Sequence, residues 1–253
     1  MFKLGKPIWR VVLGAALALP FASLAQQLTV SAAASLTDAF KEIGPRFEAT
    51  RPGATVRFNF AASGVLLQQI AQGAPVDVFV SADQETMNRG IEGKLFDADT
   101  RRDFAANTLV LIVPAVGSPP VAKLADLAGP EVKRIAIGKI ATVPVGRYTK
   151  QALEAAGLWA AIEARLVQAD SVRQVLDYVA RGEAEAGFVY RTDAALMADK
   201  VKVAQTVEGH SPVRYPVAVV SECKNKALAR DFAAYLFTPE AQAILARFGF
   251  GPP

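Results

Sequence analysis

The chain has 253 residues, 52% of them hydrophobic and 21% charged, with a formal net charge of +4. That is ordinary globular composition, with room for one large domain or two small ones and no sign of a disordered or low-complexity chain. Residues 1–25 hold three basic and no acidic groups, so the remainder carries only +1 and has no basic stripe of the kind that binds nucleic acid.

In chain order, Lys3, Lys6 and Arg10 precede an apolar run from Val11 to Leu19 and the small-residue stretch Ser23-Leu24-Ala25. This pattern predicts a secretory signal peptide over residues 1–25, cleaved after Ala25. The apolar run is far shorter than the ~20 residues a spanning helix needs. Leu28 to Val30 then reads as a strand. Leu36, Ala39, Phe40, Ile43 and Phe47 recur at helical spacing, with a kink or split expected at Gly44-Pro45. Val56, Phe58 and Phe60 alternate as a strand, and a helix runs from Ser63 through Ile70. Val76 to Val80 forms a further strand, closed by Ser81 as a cap with Gln84 three residues on.

The second half repeats this rhythm. Leu109 to Val113 and Ile135 to Ile137 read as strands, and a helix follows Pro144. Val172, Val175, Leu176 and Val179 mark another helix, ended by Gly182. Gly187 to Tyr190 and Val217 to Val220 are strands. Two helices close the chain, the last opened by Thr238-Pro239 as cap and first residue. Such alternation predicts α/β layers with mostly parallel sheets.

Several chemistries are excluded by what the chain lacks. Cys223 is the only cysteine and His210 the only histidine, so neither an internal disulfide nor a thiolate or histidine metal cluster can form. Cys223 reads as a small, half-buried apolar residue. No phosphate loop or dinucleotide fingerprint occurs, so any ATPase would be another chain. A serine hydrolase would need a base and a nucleophile elbow beside Ser35 or Ser63, and neither is present. The chain is not expected to be an enzyme or to carry a cofactor.

Four segments share one property: a strand end passes into a helix start. They are Ala33 to Asp38, Ala61 to Gly64, Val143 to Gly146, and Asp170 to Arg173. A helix N-terminus offers unpaired N–H groups and about half a positive charge, so four together would suit a dianion. Taken singly, each residue has a plainer reading. Ser35 with Asp38 reads as a capping box and Ser63 as a cap. Val145 and Val172 read as core, Tyr190 as a wall residue, and Asp77 and Asp83 as caps or structural acceptors. Arg147 and Arg173 read as solvated or structural.

Together the segments resemble the molybdate-binding proteins of ABC importers. The carriers are Ala32-Ala33-Ala34-Ser35-Leu36-Thr37-Asp38-Ala39-Phe40, Phe60-Ala61-Ala62-Ser63-Gly64, the stretch Gly73 to Asp83, Val143-Pro144-Val145-Gly146-Arg147-Tyr148, Asp170-Ser171-Val172-Arg173, Gly187-Phe188-Val189-Tyr190 and Tyr215 to Val220. The resemblance implies an α/β, two-lobed, type II periplasmic binding protein. Each lobe would be a mostly parallel sheet flanked by helices, with the ligand in the interlobe cleft. Lobe one would span 26–106 plus 214–253, and lobe two 107–213. It also implies an anion held by neutral donors: hydroxyl and N–H of Ser35 and Ser63, the N–H of Val145 and Val172, and the Tyr190 hydroxyl. The implied protein is a periplasmic monomer that delivers molybdate or tungstate to a membrane permease with a separate ATPase. Another tetrahedral oxyanion, such as sulfate, is the alternative ligand.

Overall fold

A computed structural model of the chain describes Met1 and residues 26–253. The expected signal peptide lies almost wholly outside the described residues.

Ten strands build two five-stranded sheets. They are β1 (Gln26–Ala33), β2 (Ala54–Ala61), β3 (Val78–Val80), β4 (Arg102–Ala106), β5 (Leu109–Pro114), β6 (Ile135–Gly138), β7 (Leu166–Ala169), β8 (Ala186–Tyr190), β9 (Val201–Thr206) and β10 (Arg214–Val219). The first sheet has the order β2-β1-β3-β10-β4 and the second β7-β6-β8-β5-β9. In the first, β1 is parallel to β2 and β3, and only β10 runs against its neighbours. In the second, β6 is parallel to β7 and β8, and only β5 is reversed. Each reversed strand is the one entered as the chain crosses from one sheet to the other. The two sheets therefore have the same wiring, and four strands of each point one way.

The helices are α1 (Thr37–Ala49), α2 (Ser63–Ala71), α3 (Gln84–Glu92), α4 (Pro144–Ala155), α5 (Trp159–Ile162), α6 (Val172–Ala180), α7 (Arg191–Leu196), α8 (Lys226–Tyr235) and α9 (Pro239–Arg247). A short 3-10 turn, Ala34–Leu36, joins β1 to α1. The central strands β5, β6 and β8 are buried almost end to end, as strands covered on both faces must be. Three strands are not legible in the sequence, because each carries only a few apolar residues with no sustained alternation: β4, β7 and β9. All three lie at sheet edges and are partly exposed, so solvent permits polar residues there.

Two local expectations are overturned. The split at Gly44-Pro45 does not occur, because α1 runs unbroken from Thr37 to Ala49. Pro45 removes the donor that would have reached the Lys41 carbonyl. Both residues are exposed, so water can satisfy that carbonyl, while Phe40, Ile43 and Phe47 anchor both halves of the helix in the core. Gly44 is needed for packing: a Cβ there would lie 2.7 Å from the Phe58 ring. Second, Asp83 rather than Ser81 caps α3, accepting from the Thr86 N–H. Ser81 instead braces the cap, donating to Asp83 Oδ1 at 3.1 Å and accepting from Asp83 N–H at 3.2 Å. The strand before it is also shorter than expected, Val78–Val80. At the far end of the chain, Thr238 caps α9 ahead of Pro239, and Gly182 ends α6 with a φ of +68°.

Candidate functional site

The strand ends and helix starts converge in a small cavity between the sheets. Its walls include all five of Ser35, Ser63, Val145, Val172 and Tyr190, and no charged side chain lines it. From the first lobe come the turn after β1 and the first residue of α2. The second lobe adds the first turns of α4 and α6 and the end of β8.

The local reading of the two serines as caps does not hold. No side-chain cap bond forms at the start of α1 or α2, because Ser35 lies in the 3-10 turn and Ser63 is already the first residue of its helix. Both hydroxyls are instead engaged across the lobe. Ser63 Oγ accepts from the Ala82 N–H at 3.0 Å, leaving its own proton for the cavity. Ser35 Oγ lies 3.0 Å from the Tyr215 hydroxyl, and Asn107 Nδ2 donates to that hydroxyl at 3.3 Å. Tyr215 can therefore donate onward to Ser35, and Ser35 can donate into the cavity.

In the second lobe the donors are main chain. Val172 is the first residue of α6 and Val145 the second of α4, so their N–H groups have no partner within the helix. Ser171 caps α6 by accepting from Gln174 N–H at 3.2 Å, which fixes how the helix starts. The start of α4 is pressed against the end of β6: a Cβ on Gly146 would stand 2.0 Å from the Gly138 carbonyl oxygen. Tyr190 is 1% exposed, and its hydroxyl has no hydrogen-bond partner among the described residues. Leaving a buried hydroxyl unpaired costs about 1–3 kcal/mol, so its placement in this wall calls for an acceptor in the cavity. Burial pushes the Tyr190 and Tyr215 hydroxyls well above the usual phenol range, and each stays a protonated donor at neutral pH.

Two arginines next to the amide donors are structural, and both reach across the cleft. Arg173 donates through Nε to Asp193 in its own lobe at 2.7 Å. Its Nη1 lies 2.8 Å from Asp38 Oδ2, and its Nη2 donates to the Ser35 carbonyl at 3.3 Å. Asp193 is fully buried; burial, partly offset by Arg173, pushes its carboxyl up to about 6. Arg147 pairs with Asp83, with Nε at 2.9 Å, and donates to Thr86 Oγ1 at 2.7 Å. Each guanidinium is compensated by a carboxylate, so the cavity's positive potential comes from helix starts and hydroxyl dipoles. Such an all-donor site suits a fully deprotonated oxyanion, because a protonated one would need an acceptor.

Asn107, Tyr215 and Ala82 support the site but were not candidates from the sequence. Tyr215 could have been suspected as a tyrosine opening an apolar strand, whereas the Ala82 amide leaves no side-chain trace. Cys223 lies partly buried against the first lobe's core with its thiol pushed up by burial. The His210 ring nitrogens meet the Ser211 and Val207 carbonyls in the crossover between the lobes.

A family model described as bacterial extracellular solute-binding protein matches residues 28–251. The chain belongs to that family. This solute-binding protein is 38% identical to the molybdate-binding protein ModA of Haemophilus influenzae, over 99% of both chains. It is also 38% identical to the Escherichia coli molybdate-binding protein ModA over 88% of each. Among solved structures it resembles the periplasmic molybdate-binding protein of Azotobacter vinelandii, with a TM-score of 0.77 and 26% identity over 89% of this chain and 99% of that one. The sulfate-binding protein SubI of Mycobacterium tuberculosis shares the fold at a TM-score of 0.78, but only 18% of the sequence, over 90% and 87% of the two chains.

Proposed function

We propose that this chain captures molybdate or tungstate outside the cytoplasm and delivers it to the membrane permease of an ABC importer. The ligand-holding groups are the Ser35 and Ser63 hydroxyls and amides, the Val145 and Val172 amides and the Tyr190 hydroxyl. Lobes 26–106 plus 214–253 and 107–213 close on the anion. The protein works as a monomer without cofactor, after removal of residues 1–25, and its ATPase is a separate chain. The observation that carries this reading is the buried, unpaired Tyr190 hydroxyl in a cavity lined by donors and no charge. The high identity to molybdate-binding relatives supports the choice of ion.

Sulfate is the second reading, since it shares the charge and shape, and donors spaced for longer metal–oxygen bonds would grip it loosely. Calorimetric titration with molybdate, tungstate, sulfate and phosphate decides between them. A ligand at a thousandfold excess over Kd stabilises the folded state by about 4 kcal/mol. Molybdate and tungstate should therefore raise the melting temperature by several degrees. An equal shift with sulfate would overturn the choice of ion.

A further inference from the structure

We infer that Gly64 is a stop that sets how far the lobes close, and so the size of the anion the cleft grips; this rests on the oxyanion reading above. Gly64 follows Ser63 in α2, on the first lobe. Its N–H donates across the cleft to the Thr142 carbonyl at 2.9 Å. A Cβ at this position would lie 2.6 Å from the Thr142 oxygen, 2.8 Å from its Cα and 3.1 Å from its carbonyl carbon. Gly64 does not have a positive φ, so its own backbone does not demand glycine. The close approach of the other lobe does.

Both sides of this contact are stiff. Thr142 N and Val143 N donate to the Lys139 carbonyl at 3.2 and 2.8 Å. Arg147 donates through Nη1 to the carbonyls of Ile140 and Ala141 at 3.2 and 3.4 Å, while its other nitrogens hold Asp83. The Thr142 carbonyl therefore cannot swing aside without breaking that bracing. On the first lobe, the Ala82 N–H fixes Ser63. An added methyl would have to be met by holding the lobes apart by roughly 1 Å, the shortfall of the tightest contact from an ordinary contact distance.

The contact stands beside the cavity itself. Ser63 precedes Gly64, and Val145 lies in the first turn after Thr142. Any extra separation there passes almost undiminished into the spacing between the first-lobe hydroxyls and the second-lobe amides. Hydrogen bonds weaken steeply with such lengthening. A small anion, unable to span the wider gap, loses more than a large one.

The test is Gly64→Ala, titrated with molybdate and sulfate beside the parent, with small-angle scattering and ligand-free melting. The variant should bind molybdate about tenfold or more weakly, lose proportionally more affinity for sulfate, and compact less when molybdate is added. Its ligand-free melting temperature should be unchanged or higher, since alanine favours a helix over glycine. Parent-like affinity with full compaction overturns the stop. Equal losses for both anions overturn the size gauge, and a much lower ligand-free melting temperature assigns Gly64 to folding instead. If the parent binds no tetrahedral oxyanion, the proposed function itself falls and takes this inference with it.

Discussion

The two lobes are wired alike yet meet the cavity with different chemistry. In both, a central strand and its neighbour deliver helix starts to the cleft, and the reversed strand sits next to the third. The first lobe offers side-chain hydroxyls beside the amides of the same residues, Ser35 and Ser63. The second offers main-chain amides at Val145 and Val172, with one phenol at Tyr190. Their cores differ as well. The first packs Phe40, Phe47, Phe58, Phe104 and Phe232 into a mutually contacting cluster, such as Phe47 on Phe232 edge-to-face at 5.2 Å. The second centres on aliphatic residues such as Ile135, Val175 and Leu176. The same geometric task, pointing N–H or O–H at one spot, is thus solved by two different means.

The sharpest way to break this comparison is to delete a second-lobe amide without touching a side-chain donor. Val172 is the first residue of α6, where proline is tolerated, and Ser171 before it is extended (φ −156°, ψ 165°), as a residue preceding proline prefers. A hydrogen bond to a charged group is worth about 1.5–3 kcal/mol, so Val172→Pro should lower affinity roughly ten- to 150-fold with nearly normal folding. Val172→Ala should bind almost as the parent does. Titration calorimetry checks both, and a well-folded proline variant with parent-like affinity would remove the amide from the site.

Next in size is Tyr190→Phe, which separates ligand binding from stability. Removing this hydroxyl should weaken binding about tenfold. The same change should raise ligand-free stability by about 1 kcal/mol, because a buried unpaired group disappears. Denaturant unfolding without ligand reads the second effect. A variant that is destabilised before ligand is added would mean the hydroxyl has a protein partner.

The smallest expected effect is Asp38→Asn, which removes one carboxylate that Arg173 meets across the cleft while Asp193 still holds the arginine. The pair is partly exposed and worth up to about 1 kcal/mol. Affinity should fall by no more than about fivefold, and the loss should shrink as salt is added. A loss of a hundredfold would mean that Arg173 and Asp38 do more than hold the lobes together.

The lobes also differed in how much the sequence disclosed. Hydroxyl residues at helix starts are visible to local reasoning, yet Ser35 and Ser63 looked like caps, because a cap and an anion donor use the same residue types in the same place. Only their partners in space, Tyr215 and the Ala82 N–H, separate the two uses. Val145 and Val172 look like core from local sequence, and their side chains are indeed buried. Their contribution is an N–H that every non-proline residue possesses. The central strands were legible because burial on both faces leaves continuous apolar runs, as in β5 and β8. The edge strands β4, β7 and β9 were not, since their few apolar residues do not alternate over any length, whereas the edge strand β2 alternates regularly and was legible.

The use of backbone amides in the second lobe also bears on how such a protein tolerates genetic drift. No single base change turns a valine codon into a proline codon. Every replacement one mutation away from Val145 or Val172 keeps its N–H, although an acidic side chain would repel the anion. A serine hydroxyl has no such protection, because many single base changes remove it. The Val145 and Val172 amides are therefore buffered against point mutation by the genetic code, whereas the hydroxyls of Ser35, Ser63 and Tyr190 must be kept by selection on the side chains themselves.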